Sequence, residues 1–311
     1  MNQSKKITEG ALFLAVFMIL MLLSMFIPIF TILLPVPFIL YSAKYDWKPT
    51  LIVFVGAILF GTIITTLLSL PVIVLMGLGG IMIGNAIYKN LSAYETLARG
   101  TFGFIIGLLF SFVFTQVVAD VNIVEDMNQM VEESITMSSN LMEEAGMQNQ
   151  QTEEFEELLQ MQSDLLMDLL PAFVIFLALI LAFLTQWIGY KFINKLFKKK
   201  LRFPPFRTLQ FPSTLLWIYM IVLVFSIIET DPASTLFVIL QNASLVTGTL
   251  MIIQGFSFIF FFAHHKRLPI IIPILAVLFT LFIPTILLSF VRILGIIDIG
   301  FKLRDRLTKK N

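Results

Sequence analysis

The chain has 311 residues, 58% of them hydrophobic and 13% charged, with a formal net charge of +1 and a mean hydropathy of +0.93. A soluble domain is about 45–50% apolar and about 25% charged, so an ordinary soluble fold is excluded, as is disorder, which requires low hydrophobicity. The lack of cysteine excludes disulfides, thiolate metal sites and cysteine nucleophiles.

Nine apolar segments follow one another at about 8–27, 29–43, 50–69, 71–88, 100–119, 170–190, 212–229, 236–262 and 269–297. Each reads as a helix, because lipid offers no partners for backbone N–H and C=O groups and the runs lack the alternation of barrel strands. The predicted fold is therefore all-α, a polytopic transmembrane helix bundle of about 8–9 membrane segments. The first run follows Lys5 and Lys6 and is broken only by prolines up to Tyr41. Its nearest cleavage-like triplet, Tyr41-Ser42-Ala43, starts with a bulky residue, so it reads as a retained span and not a signal peptide. Pro35 and Pro37 predict an irregular start to the second segment, and Pro71 sits where a helix tolerates proline, at its beginning. Gly77, Gly79, Gly80 and Gly84 on the fourth segment and Gly103 and Gly107 on the fifth mark close helix approach.

Charge is unevenly distributed. Asp120 to Asp168 holds thirteen of the twenty acidic residues, and no Lys or Arg occurs between Gly100 and Tyr190. Short basic loops stay cytoplasmic. Lys5 and Lys6, Lys44 and Lys48, Lys89 and Arg99, and the cluster from Lys191 to Arg207 then place the N-terminus inside and residues 122–168 outside. Within that insert Ile123, Met127, Met130, Met137 and Leu141 form one stripe, and Phe155, Leu158, Leu159, Leu165, Leu166 and Leu169 a second; both fit amphipathic helices. With Gly146 and Gln148–Thr152 as the turn, the insert reads as an extracytoplasmic acidic helical hairpin. Its carboxylates and seven methionines would suit a metal-collecting surface. No EF-hand spacing and no histidine accompany them, and a solvated cap with a Met/Leu seam is the plainer reading. The expected organisation is 1–121 for the first five helices, 122–168 for the hairpin, 169–190 for the sixth helix, 191–211 for a basic loop and 212–311 for the C-terminal helices and tail.

A straight ninth crossing would put Lys302, Arg304, Arg306, Lys309 and Lys310 outside, against the basic-loop rule. The last segment is therefore expected to bend near Pro284 and return toward the inner surface. Few ionisable groups fall within the spans. Glu9 stands at the start of the first helix, where the dipole favours it. Arg292, an intramembrane charge, does not share a face with Asp298 and is read as snorkelling. No chain of buried acids or histidines offers a proton relay. Asn85, Gln116, Gln186, Gln241, Asn242 and Gln254 read as interhelical hydrogen-bonding groups, worth about 0.6–2 kcal/mol each. As an alternative, Asn85, Gln116, Gln186 and Trp187 are candidates for a pocket, although Gln116 lies near the outer end of its helix and Gln186 and Trp187 near the inner end of theirs. No P-loop, GxSxG, HExxH or intramembrane aspartate pair occurs, so no catalytic residue, metal site or cofactor is expected. His264 and His265 beside Lys266 and Arg267 read as an interfacial basic loop. The basic residues form short membrane-flanking clusters, which argues for a lipid bilayer and against nucleic acid as partner.

Ala11 and Ala15 lie four residues apart on the first helix and share one face. This AxxxA, followed by Ile27-Pro28-Ile29, the short Leu34-Pro35-Val36-Pro37-Phe38 helix and a third span containing Gly56 and Gly61, resembles the substrate-binding S components of energy-coupling-factor transporters over about residues 7–190. The Thr8-to-Ala15 stretch TEGALFLA and the end Leu294-Gly295-Ile296-Ile297-Asp298-Ile299-Gly300-Phe301 resemble the YybS-like family of bacterial multi-pass membrane proteins, whose name carries no activity. The S-component resemblance implies that Ala11 and Ala15 dock a transmembrane T component coupled to cytoplasmic ATPases, and that a small, vitamin-like solute binds near the outer end of six helices. The acidic insert and the roughly 120 residues after the sixth helix depart from that pattern. Two functions are therefore carried forward: a solute-binding or transport subunit without its own ATPase, and a non-transporting envelope assembly protein acting through the acidic hairpin.

Overall fold

A computed structural model describes residues 3–118, 120–144 and 149–309, and among them the regular structure is helical, with no strand. Eight helical segments are long and apolar enough to cross a membrane: Gln3–Phe26, Pro28–Tyr45, Trp47–Ile64, Leu67–Tyr88, Ala93–Val118, Leu170–Phe197, Thr235–His265 and Pro284–Phe301. The chain divides into two compact units, Met1–Met167 with Phe173–Phe203, and Asp168–Ala172 with Pro204–Asn311.

The first unit contains α1 (Gln3–Phe26), α2 (Pro35–Tyr45), α3 (Trp47–Ile64), α4 (Leu70–Tyr88), α5 (Ala93–Val118), α6 (Ile123–Glu144), most of α7 (Asn149–Asp168) and most of α8 (Leu170–Phe197). The irregular start expected for the second segment is a 3-10 turn, Pro28–Leu33, ahead of α2. Prolines 35 and 37 fall in the first turn of α2, where a missing N–H leaves no helical bond unmade. Nearly all of α2 is buried, and α4 supplies the room for it. A Cβ on Gly80 would stand 2.7 Å from the Pro35 carbonyl, and one on Gly84 2.6 Å from that of Ile39. Ser42 fastens the contact by donating to the Ile81 carbonyl at 3.2 Å. On other faces of α4, the rings of Phe54 and Phe104 fill the space beside Gly77 and Gly79, and Gly103 and Gly107 of α5 meet the backbone of Leu78 and Leu75. The glycine stripes thus mediate close helix packing, and Phe17, Phe38, Phe104, Ile39 and Ile73 fill the centre.

Helices run beyond the apolar windows. α5 begins at Ala93, and α8 continues to Phe197, so Lys191 and Lys195 lie on helix and not in the basic loop. In the insert α6 and α7 form as expected. Gly146 and Gln148 lie outside the described residues, whereas Asn149–Thr152, expected as turn, are the first turn of α7. The apolar stripe is not closed as a seam: Met130 and Met137 are 67% exposed and Met161 62%.

The second unit contains α9 (Ser213–Ile228), α10 (Thr235–His265), α11 (Ile271–Phe282), α12 (Pro284–Phe301) and α13 (Leu303–Lys309). The final apolar segment breaks at Ile283, and Pro284 opens α12. Gly248 and Gln254 of α10 meet Arg292 and Asp298 of α12 in ascending order, so α12 runs parallel to α10. The end of α10 and the start of α13 consequently lie together, Phe262 and Ala263 lining one hollow with Leu303 and Arg306. The approach is backbone to backbone. A Cβ on Gly255 would overlap the Val291 carbonyl, and one on Gly295 that of Met251.

Candidate functional site

In the first unit α1 turns Gly10 inward and leaves Ala11 and Ala15 exposed. A Cβ at position 10 would lie 3.1 Å from the Tyr41 hydroxyl and 3.2 Å from Val53, and Tyr41 is anchored by donating to the Lys6 carbonyl at 3.1 Å. Opposite stands Gly56 of α3, whose missing side chain brings Leu14 within 3.0 Å of an added Cβ. With Gly10, Ala11 and Gly56 in its lining, a groove of about 760 Å³ lies between α1 and α3, walled by Leu14, Ile52 and Val53 and bordered by Gln3, Lys6 and Lys48 at one end; Ala15 is not part of its lining. Small residues that expose helix backbone are what membrane helices use to approach one another without a hydrophobic driving force. Near the charged end, Lys44 pairs with Glu9 at 2.5 Å and stands over the Tyr45 ring. Sequence reasoning assigned Glu9 to the helix dipole and missed this partner.

The four polar candidates of the first unit are not gathered. Gln186 is fully buried. Its amide donates to the Ala93 carbonyl at 2.9 Å and to the Tyr190 hydroxyl at 2.8 Å, tying α8 to the start of α5. Its own carbonyl oxygen and that of Asn85 are buried without a hydrogen-bond partner among the described residues. Trp187 lies on the surface, 47% exposed, with the Lys191 ammonium 3.3 Å from its ring centre. Gln116 is on α5 with Ala93, but twenty-three residues along it, about 34 Å at the helical rise.

The second unit holds a buried polar network. Asp298 on α12 is fully buried and accepts from Arg304 Nε at 2.9 Å and from Gln254 Nε2 of α10 at 2.6 Å. Arg304 also donates to the Arg207 carbonyl at 2.9 Å and to the Ser257 hydroxyl at 3.1 Å. That hydroxyl lies 2.8 Å from the carbonyls of both Phe206 and Leu209, and Gln254 accepts from the Phe211 amide at 2.9 Å. Residues 206–211 are thus stitched to α10 and α13. Two residues six apart cannot share a face of a straight helix. Arg304 reaches Asp298 because Lys302 takes a left-handed conformation, φ 50°, and ends α12. The amide Gln254 was legible as an interhelical hydrogen-bonding group; the ion pair was not, since its only signal is that break. Asn242 serves the same unit by accepting from Ala172 N at 2.9 Å and donating to the Asp168 carbonyl.

Arg292 does not join this network. Its guanidinium lies beside Gly248 and Tyr219, with Cζ 3.5 Å from where a Cβ on Gly248 would stand, and its Nε is buried without a partner among the described residues.

A family model described as "Predicted membrane protein (DUF2232)" matches residues 15–299, and the chain belongs to that family. It is 26% identical over 322 aligned residues, covering 98% of this chain and 99% of the relative, to "Uncharacterized protein YybS" of Bacillus subtilis (strain 168). No solved structure matches the chain.

Proposed function

We propose that this member of a multi-pass membrane protein family is a partner-binding subunit without an ATPase of its own, docking a transmembrane helix in the α1/α3 groove as an S component docks its T component. The groove carries the reading: Gly10, Ala11 and Gly56 line it, and Ala15, one turn further along α1, is exposed. In this reading cytoplasmic ATPases stand behind the T component, and a small vitamin-like solute is the cargo. Docking has the stronger support of the two parts. Aromatic and aliphatic side chains fill the centre of the first unit, and Gln186 and Trp187 are engaged separately.

A second reading, envelope assembly through residues 122–168, draws support from the exposed methionines of an insert rich in carboxylates. Both readings take the basic ends as cytoplasmic and the insert as extracytoplasmic. In a chain without cysteine, a cysteine introduced at Glu143 then reacts with an impermeant maleimide added outside, and protection of that cysteine refutes the orientation.

The two readings separate in one experiment on the full chain in its membrane. Ala11→Trp with Ala15→Trp is expected to abolish co-purification of a membrane partner and its ATPases, while deletion of 122–168 leaves it intact. The reverse pattern favours assembly, and a chain that stays alone in both states removes the docking reading.

A further inference from the structure

Within the membrane-spanning segments of this chain the acidic residues are Glu9, Glu95 and Asp298. Glu9 is taken by Lys44 and Asp298 by Arg304, while Glu95 stands in the first turn of α5. Arg292 is the ninth residue of the eighteen in α12 and packs beside Gly248, the fourteenth of thirty-one in α10. It therefore sits near mid-height on both helices, about 12 Å of helix from either end of α12. Among the described residues nothing accepts a hydrogen bond from it, and its Nε is sealed from solvent, although the residue as a whole is only partly buried. An arginine at that depth normally has an acidic or carbonyl partner.

The geometry points to Arg292 as the receptor for a carboxylate carried at mid-depth by a membrane-spanning helix of another protein. Charge complementarity sets the sign, and depth sets the carrier. A lipid phosphate belongs to the headgroup layer, outside the hydrocarbon core of about 30 Å. A second copy of this chain offers no free acid at that level, because two of its three are paired and the third lies at a helix end. On the same stripe of α12, Ile296 packs against the cluster of Tyr219, Met251 and Ile299 one turn toward the C-terminus, so the partner helix approaches from the half-buried Leu288, one turn the other way. This site is built from second-unit residues and shares none with the α1/α3 groove, so it holds whether or not that groove docks a partner.

The test uses the full chain in its own membrane, with a photocrosslinking amino acid at Leu288 and native gels of the mildly solubilised protein. Arg292→Leu is expected to reduce the higher-mass species by about tenfold or more, as truncation of one member of a buried charge pair does, and Arg292→Lys to preserve most of it. The crosslinked peptide must be a membrane span containing Asp or Glu. Exchanging the charges, Arg292→Asp against Arg at the partner's acid, must restore the complex. An unchanged gel pattern in Arg292→Leu overturns the proposal, as do crosslinks confined to lipid or to a second copy, or a crosslinked span without a carboxylate. The thermal midpoint of the isolated chain distinguishes a structural role. An unpartnered arginine predicts no fall in Arg292→Leu or Arg292→Gln, and a fall in both means that Arg292 is satisfied within its own chain, which also overturns the assignment.

Discussion

In the first unit the fully sealed side chains are hydrocarbon (Phe17, Phe38, Phe104, Leu34, Ile39, Ile73 and Ile83) or neutral polar groups (Ser42, Thr50, Thr96 and Gln186), and its ion pair lies at the partly exposed start of α1. In the second unit a charge, Asp298, is sealed as fully as the neutral Gln254 and Ser257, and a smaller apolar cluster of Tyr219, Met251 and Ile299 accompanies them. Both units bring helices together through glycine. They differ in what holds the helices once they touch. Lipid tails are as apolar as leucine, so the first unit relies on shape and dispersion, with single neutral hydrogen bonds such as those of Ser42 and Gln186 between helices. The second adds directional bonds between charged and amide groups, which hold a loop as well as helices but leave a buried charge exposed to loss of its partner.

The largest effect predicted from this contrast is at Asp298. Asp298→Ala strands the buried Arg304 guanidinium, and removing one member of a buried pair destabilises by about 3–5 kcal/mol. The thermal midpoint should fall sharply when followed by the fluorescence of Trp217 in α9, in a variant where Trp47 and Trp187 are replaced. Replacing both members by apolar residues, Asp298→Leu with Arg304→Met, should recover most of the loss, because the desolvation penalty disappears with the charges. A double variant as unstable as the single would mean that the hydrogen bonds to residues 206–211, and not charge balance, hold the second unit.

Glycine substitutions give an intermediate effect and a point where the units should behave alike. Gly255→Val and Gly295→Val push side chains into backbone carbonyls that cannot rotate away, and should each cost about 2–3 kcal/mol. Gly84→Val, facing the Ile39 carbonyl across α2 and α4, should cost about the same. Gly56→Ala meets only the tip of Leu14, a rotatable side chain, and should be nearly neutral. Denaturation midpoints that sort by unit, and not by whether the obstacle is backbone or side chain, would break the shared part of the comparison.

Hydropathy and proline position made the helices legible. The 3-10 turn before α2, the start of α4 at Leu70 and the break at Ile283 all sit where proline forbids a continuous helix. Helix ends were less so, since α5 and α8 extend through polar interfacial residues that an apolar window omits. The α1/α3 groove was half legible: Ala11 marks one wall, but the opposing Gly56 gains its meaning only when α3 lies alongside. The Asp298–Arg304 pair was hidden because a left-handed residue intervenes and helical spacing no longer applies. The methionine stripe misled in another way. Amphipathic periodicity fixes which face is apolar, but not whether a partner covers it, and in α6 it remains exposed.

The smallest effect is expected at Glu9 and Lys44, and it measures the contrast most directly, because the same kind of ion pair occurs in both units. Their side chains are 20% and 35% exposed, against 0% and 7% for Asp298 and Arg304. Solvent near the pair screens its attraction, and Lys44 retains the rings of Tyr45 and Phe197 when Glu9 is removed. A double-mutant cycle of Glu9→Gln and Lys44→Met should therefore give a coupling of no more than about 1 kcal/mol, weakened further by salt. The corresponding cycle of Asp298→Asn and Arg304→Met should give a larger coupling, little affected by salt. Equal couplings with equal salt dependence would show that burial is not what separates the two pairs, and the second unit's reliance on charge would then need another cause, the hydrogen bonds of Arg304 to Arg207 and Ser257 being the first to test.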